Sequence, residues 1–88
     1  MVELEITIPV ASKWPSRDEL KARNAVEDAL NQSAVGKCSG AGGGMGEMDL
    51  TFRIADQTAL PAARAVIDQA MNTHMLGVEY RVRLLGEQ

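Results

Sequence analysis

The sequence predicts an α+β domain in which two helices cover one face of a four-stranded antiparallel sheet. Three observations predict this class: strict alternation of apolar and polar residues in three segments, two apolar stripes at helical spacing, and a glycine-rich stretch over 36–46. A chain of 88 residues has the length of one domain. Residues 1–88 are therefore predicted to form a single domain.

The alternating segments predict three strands. The first covers residues 2–8 and closes at Pro9, because proline cannot donate to a sheet ladder. The second covers 48–54 and the third 78–84. The residues predicted to face the core are Val2, Leu4, Ile6 and Ile8, then Met48, Leu50, Phe52 and Ile54, and finally Val78, Tyr80, Val82 and Leu84.

The first helix has a complete start signal. Ser16 and Glu19 have the spacing of a capping box, in which each side chain accepts a hydrogen bond from the backbone N–H of the other residue. The apolar stripe continues to about Ala34, and Gly36 is predicted as a left-handed C-cap.

The second helix is predicted to begin nearer Thr58 than Asp56. Pro61 sets this boundary, since proline is tolerated only in the first turn, where its missing N–H has no partner within the helix. The pair Leu76-Gly77 is predicted as the C-cap.

The glycine-rich stretch is predicted to contain the fourth strand. A short strand at about Lys37 to Gly42 would form a hairpin with residues 47–54 around a turn at Gly43 to Gly46. The resulting order is βαββαβ, and over its whole length the chain resembles the ferredoxin-like α/β plait. The resemblance is one of architecture, without a family motif. It implies that the first and third strands are central and the second is an edge.

The open face of such a sheet is predicted to be charged. Glu3 and Glu5 would lie between Arg81 and Arg83 on one side and Arg53 on the other. One interpretation is a solvated face that pairs its own charges. The other is a face that docks a second copy of the chain or an anionic ligand.

The predicted edge strand carries almost no side chains. Between Lys37 and Ala41, only the lysine provides the charge with which proteins usually protect such an edge. Two interpretations stay open: a bulged edge that protects itself, and an edge that pairs with another chain or an extended peptide.

Composition and charge restrict the compartment and the partners. A net charge of −3 and a pI near 5 argue against nucleic acid as a partner. Cys38 is the single cysteine, which fits a reducing compartment. The acidic first residues do not resemble a signal peptide, and no apolar run is long enough for a membrane span. The sequence therefore predicts a soluble, cytoplasmic protein without a membrane partner.

No group of residues in the sequence indicates catalysis. The glycines lack the spacing of dinucleotide or Walker loops, and a strand follows them instead of a helix. His74 is predicted to stabilise a helix end and Cys38 to fill space in the core, with a reactive thiol as the open alternative for Cys38. The segment PVASKWPS has neither the glycine-rich anion cradle of acylphosphatases nor the cysteine pair of metal-transport plaits. No catalytic residue, metal or cofactor is predicted.

Two functions remain as hypotheses. The first is a non-catalytic interaction or regulatory module that associates with itself or another protein through the glycine edge or the open sheet face. The second is a small-molecule site or enzyme built where the glycine turn meets the Trp14 loop. Its predicted contact residues are Lys13, Trp14, Arg17, Gly42, Gly43 and Gly44. Trp14 also has a structural interpretation, as a hydrophobic lid packed over the start of the first helix.

Overall fold

Four strands and two helices make up the fold, and two of the strands lie between the helices in the chain. The computed structural model describes residues 1–87. The elements are β1 (Val2–Pro9), α1 (Arg17–Gln32), β2 (Gly36–Gly44), β3 (Glu47–Ile54), a 3-10 turn (Gln57–Ala59), α2 (Leu60–His74) and β4 (Arg81–Glu87). The strands form one antiparallel sheet in the order β2-β3-β1-β4, so the fold is α+β.

The core lies between the sheet and the two helices. Every second residue of β1 and β3 is buried against α1 and α2, and the residues between them face the other side of the sheet. The predicted core positions on these two strands are confirmed. The buried residues are Val2, Leu4, Ile6, Ile8, Val26, Leu30, Met48, Leu50, Phe52, Ile54, Ala63, Ile67, Ala70 and Met71. Because both helices pack on this one face, the opposite face of the sheet is left uncovered.

The capping box at the start of α1 is confirmed. The Glu19 N–H donates to Ser16 Oγ at 3.1 Å, and the Ser16 N–H donates to Glu19 Oε1 at 2.8 Å. The Ala11 N–H donates to the second carboxylate oxygen at 3.0 Å. These backbone donors, Ser16 first and then Ala11, hold the pKa of the Glu19 carboxyl below its usual range. Glu19 thus connects the helix start to the loop before it.

Replacing Ser16 with alanine is expected to lower the free energy of unfolding by about 1 kcal/mol, because the Glu19 N–H loses its acceptor. Urea unfolding at neutral pH measures this change. Ser12→Ala in the same loop is the control, since Ser12 is exposed and lies outside the helix. Equal midpoints for the two variants would contradict a stabilising role for the cap.

The predicted C-cap role of Gly36 is wrong. The helix α1 ends at Gln32, and the N–H of Ser33 caps it by donating to the carbonyls of Ala29 and Leu30. Gly36 is the first residue of β2, and its φ is not positive. A Cβ placed on Gly36 would lie 2.3 Å from the carbonyl oxygen of Arg53. Glycine is needed here because two backbones approach closely.

The hairpin between β2 and β3 is longer and its turn is tighter than the sequence predicts. The strand β2 covers Gly36–Gly44 instead of 37–42. Met45 and Gly46 form the turn with φ of 57° and 83°. Positive φ at both central residues is typical of a type I′ turn, whose twist matches that of the flanking strands.

The segment after α2 also differs from its prediction. The helix is capped by Met75 and not by Leu76-Gly77, although Gly77 does take a positive φ of 83°. The strand β4 begins at Arg81 instead of Val78. The hydroxyl of Tyr80 donates to Asp68 on α2, which ties this residue to the helix before the strand starts. By contrast, Pro61 lies in the first turn of α2 as predicted.

Candidate functional site

Three ion pairs lie on the uncovered face of the sheet. Arg53 Nη2 is 3.3 Å from Glu3 Oε2, and Arg83 Nη2 is 2.8 Å from Glu5 Oε1. Both pairs join neighbouring strands, as the sequence predicts. The third pair, Arg81 with Glu47 at 2.6 Å, reaches from β4 across β1 to β3. The Arg81–Glu47 pair is the most exposed of the three, and pairs of that kind contribute little to stability, about 0–1 kcal/mol each.

The two edges of this face differ in the size of the side chains that they carry. On β4, Arg81 and Arg83 extend from the sheet with side chains 76% and 69% exposed. On β2, the positions of the same rows are Gly42 and Gly40, which have no side chain. The face therefore has a ridge of arginines along one edge and a bare strip of glycines along the other.

Two open depressions lie beside the arginine ridge, each with a volume of about 510 Å³. They share Thr7, Glu47 and Arg81 in their linings. One continues toward Tyr80 at the end of the sheet, and the other toward Arg83. The arginines in both linings already pair with glutamates, Arg81 with Glu47 and Arg83 with Glu5, which disfavours an anionic ligand as the occupant.

The edge of β2 is protected by side chains of α1. The Cys38 N–H donates to Asn31 Oδ1 at 2.7 Å, and Arg23 Nη1 donates to the Gly42 carbonyl at 2.8 Å. Lys37 Nζ donates to the Asn31 carbonyl. The ladder with β3 is also interrupted by a bulge between Cys38 and Gly40. Lys37 is therefore one of several protecting groups, and the bulged interpretation of this edge agrees with the observed geometry.

Arg23 and Asn31 were not among the residues predicted from the sequence. Asn31 lies eight positions after Arg23, so both lie on one face of α1, and Glu27 lies four positions from each. This four-residue spacing of polar side chains was the signal present in the sequence. The spacing does not indicate a contact with the β2 edge until the strand is known to lie alongside the helix.

The glycine turn does meet the Trp14 loop. The Gly46 N–H donates to the Lys13 carbonyl at 2.8 Å, and the Val10 N–H donates to the Gly46 carbonyl at 3.0 Å. The ring of Trp14 lies against Gly44, where an added Cβ would be 2.7 Å from the ring. Gly44 also has a φ of 132°, so glycine is required there for two reasons.

The other predicted contact residues are spread around this corner. Gly43 faces the ring of Pro15, and Gly42 presents its carbonyl to Arg23. Arg17 is the first residue of α1, and its side chain is exposed. Trp14 is 63% exposed and Met45 in the adjacent turn is 81% exposed. The structure thus brings Lys13, Trp14 and the glycines 43–44 together, while a binding role for any of them stays a prediction.

Cys38 and His74 lie on different elements of the fold. Cys38 is half-buried and packs beside the core opposite Phe52, whereas His74 is in the last turn of α2. In residues 1–87, no group of three potential metal ligands comes together. Within the same range, no helix has the length and apolar character that crossing a bilayer requires.

The Cys38 thiol is expected to react slowly with alkylating agents at pH 8. Burial first, and the charge of Glu27 second, raise the pKa of Cys38 to about 11. The thiolate is then about 100-fold scarcer than for an ordinary thiol, and its higher intrinsic nucleophilicity compensates in part, leaving a rate about 10-fold lower. Iodoacetamide labelling followed by mass spectrometry measures the rate.

The same labelling in urea is the control, because unfolding removes the burial of Cys38. Since the folded state favours the neutral thiol, its contribution to stability is complete below pH 9 and is lost as the pH rises from 9 to about 11. Equal labelling rates for folded and unfolded protein at pH 8 would contradict a raised pKa.

Comparison with known proteins adds no assignment: neither a family model nor a curated protein matches the chain. Function is therefore inferred from the surfaces described above, since a fold alone does not determine it.

Proposed function

We propose that this chain is a non-catalytic interaction module that associates with itself through the open face of a ferredoxin-like plait. The element order β1 α1 β2 β3 α2 β4 and the sheet order β2-β3-β1-β4 support the plait. In this arrangement the first and third strands occupy the centre of the sheet.

The uncovered sheet face is the observation that carries the proposal. Neither helix packs on it, and its arginines and glutamates extend in ordered rows set by the strand register. Of the two surfaces considered for association, the face is favoured over the β2 edge, because Asn31 and Arg23 already bind backbone groups of that edge. Charged groups in complementary rows give an interface its specificity and orientation.

Sedimentation velocity over a wide range of protein concentration tests the proposal. The expected result is a monomer at low concentration that converts to a dimer at high concentration. Added salt should shift the equilibrium toward the monomer, because salt screens exposed charges. A chain that stays monomeric at every concentration would refute self-association.

The proposal places the module in a reducing compartment such as the cytoplasm. Its basis is the single cysteine, which cannot form an intrachain disulfide. Fractionation of the source cells with detection of the intact chain would test this placement.

A second candidate function is a small-molecule site at the Trp14 corner. The specific observation is that an indole ring, 63% exposed, lies beside the bare backbone at Gly44. Exposed aromatic rings next to accessible backbone are common in recognition sites. Lys13 and Arg17 would supply positive charge near the ring.

Trp14 is the single tryptophan, so its fluorescence reports directly on this corner. A metabolite screen read by thermal shift, followed by fluorescence titration of any hit, tests the second candidate. A ligand that shifts the wild type but not Trp14→Ala would support it. Trp14→Ala is preferred to a bulky change at Gly43, where an added Cβ would contact Pro15 at 3.0 Å. A screen without hits would refute it.

A further inference from the structure

No close contact within one copy requires a glycine at position 40. Gly40 follows the bulge in the ladder, but its φ is not positive, and a Cβ placed there would meet a single nearby atom, Thr51 Oγ1 at 4.0 Å. Gly42 is similar, since its Cβ would touch the carboxylate of Asp49 at 3.2 Å, which is the end of a flexible side chain. Glycine weakens a strand, and besides bulges and bends, close approach of another molecule is a recognised reason for it.

The opposite edge of the same face offers a group that fits such a space. Arg81 and Arg83 lie in the same two rows as Gly42 and Gly40, across the full width of the sheet. Their side chains are 76% and 69% exposed. The ridge and the bare strip are therefore matched in spacing, since both follow the residue repeat of a β-strand.

Charge matches as well as shape. Asp49 lies beside the bare strip, with its carboxylate close to Gly42. In the described part of the chain, none of the ion pairs involves Asp49. An arginine placed over Gly42 from outside would meet this carboxylate. The occupant of the glycine strip is thus expected to be a cation carried on an extended strand.

We propose that a second copy of this chain is that occupant. The two sheets pack face to face about a two-fold axis that runs parallel to the strands, between β1 and β3. Arg81 and Arg83 of each copy then lie over Gly42 and Gly40 of the other. This inference rests on the proposed function and specifies its interface.

The same axis gives favourable neighbours in the remaining rows. It places Glu3 of one copy opposite Arg53 of the other, and Glu5 opposite Thr51. A two-fold axis across the strands would instead place arginines on arginines and glycines on glycines. Like charges would repel there and the bare strip would stay empty. Stacked sheets lie about 10 Å apart and cross at about 30°. The match is therefore best for the strands beside the axis and shifts by about one residue at the outer strands, a distance that an arginine side chain can span.

The size of the face sets the strength of the dimer. Four strands at about 4.8 Å spacing and seven residues at about 3.3 Å give a flat area of roughly 440 Å² per copy. Two copies would bury about 900 Å², which is below the range of about 1,200–2,000 Å² for stable complexes. The dimer is therefore expected to be weak and to require a high protein concentration.

Gly40→Val is the central test. The valine has room within one copy and suits a strand, so the melting temperature of the dilute protein should not fall. Dimerisation measured by sedimentation velocity should weaken at least about 10-fold, since the methyl groups occupy the space for Arg83 of the other copy. Ala41→Val is the matched control, because Ala41 pairs with the buried Leu50 and so faces the opposite side of the sheet.

Cross-linking tests the register independently of any change in affinity. Gly40→Cys and Arg83→Cys are made separately in a Cys38→Ala background, mixed at high concentration and treated with a short bismaleimide, because facing backbones about 10 Å apart are beyond the reach of a disulfide. Each variant carries one cysteine, so every cross-linked product contains two copies. The expected product is the mixed dimer, with less of either homodimer.

The outcomes separate this inference from the proposed function. If the wild type dimerises and Gly40→Val dimerises equally well, the face-to-face arrangement is wrong and self-association stands. The same conclusion follows if the wild type dimerises but the two cysteine variants give no mixed dimer. A wild type that stays monomeric at all concentrations would overturn both.

Discussion

Phe52→Ala is expected to lower the free energy of unfolding by about 3–5 kcal/mol, the range for removing a buried aromatic side chain. Phe52 is fully buried in β3, between Leu4 on β1 and Cys38 on β2. A domain of 88 residues has a total stability of about 4–13 kcal/mol. The loss is thus a large fraction of the whole, and the urea midpoint of the variant should fall markedly.

Urea unfolding followed by circular dichroism measures this effect. Thr51→Ala is the control on the same strand, since Thr51 faces the uncovered side of the sheet and its loss should change stability by about 0.5 kcal/mol or less. Similar midpoints for the two variants would mean that Phe52 is not at the centre of the core.

Gly36→Ala is the second change with a large expected effect. The new methyl group would overlap the carbonyl oxygen of Arg53, 2.3 Å away, and this atom belongs to the backbone of the paired strand. Relief requires that β2 and β3 separate at this point. We expect a loss of about 1–3 kcal/mol, toward the upper end because no flexible side chain can move aside.

Gly40→Ala on the same strand is the matched control, measured in dilute protein. It introduces the same methyl group where the nearest atom is 4.0 Å away, and it should be neutral or stabilise by up to about 1 kcal/mol. If both alanine variants unfold at the same urea concentration, close approach at Gly36 is not what requires glycine there.

Local signals in the sequence predicted most of the architecture. The alternation in β1 and β3 identified their buried faces, because the side-chain period of a strand is two and a single register fits it. The capping box at Ser16 and Glu19 placed the start of α1, because all its hydrogen bonds are made within four residues.

Features that depend on contacts between distant segments were predicted less well. A glycine near a helix end fits both a left-handed cap and a close backbone approach, and at Gly36 the second reason applies. The alternation of Val78 and Tyr80 continues that of β4, but Tyr80 is bound to Asp68 before the strand begins. Arg81 pairs with Glu47 two strands away, which no register of neighbouring strands specifies.

The candidate site was predicted in outline only. The meeting of the Trp14 loop with the glycine turn followed from their order along the chain, and the backbone hydrogen bonds of Gly46 secure it. The protection of the β2 edge did not follow, since Asn31 and Arg23 act on that edge only after α1 has packed beside it.

The bulges have a consequence for behaviour at high concentration. Both outer strands are interrupted, β2 near Ser39 and β4 where its pairing shifts between Glu3 and Leu4 of β1. An interrupted edge strand is a poor template for adding further molecules by edge-to-edge strand pairing. If assembly proceeds through the flat surface as proposed, it stops at two copies, and crowding this protein is expected to yield closed pairs and not growing fibrils.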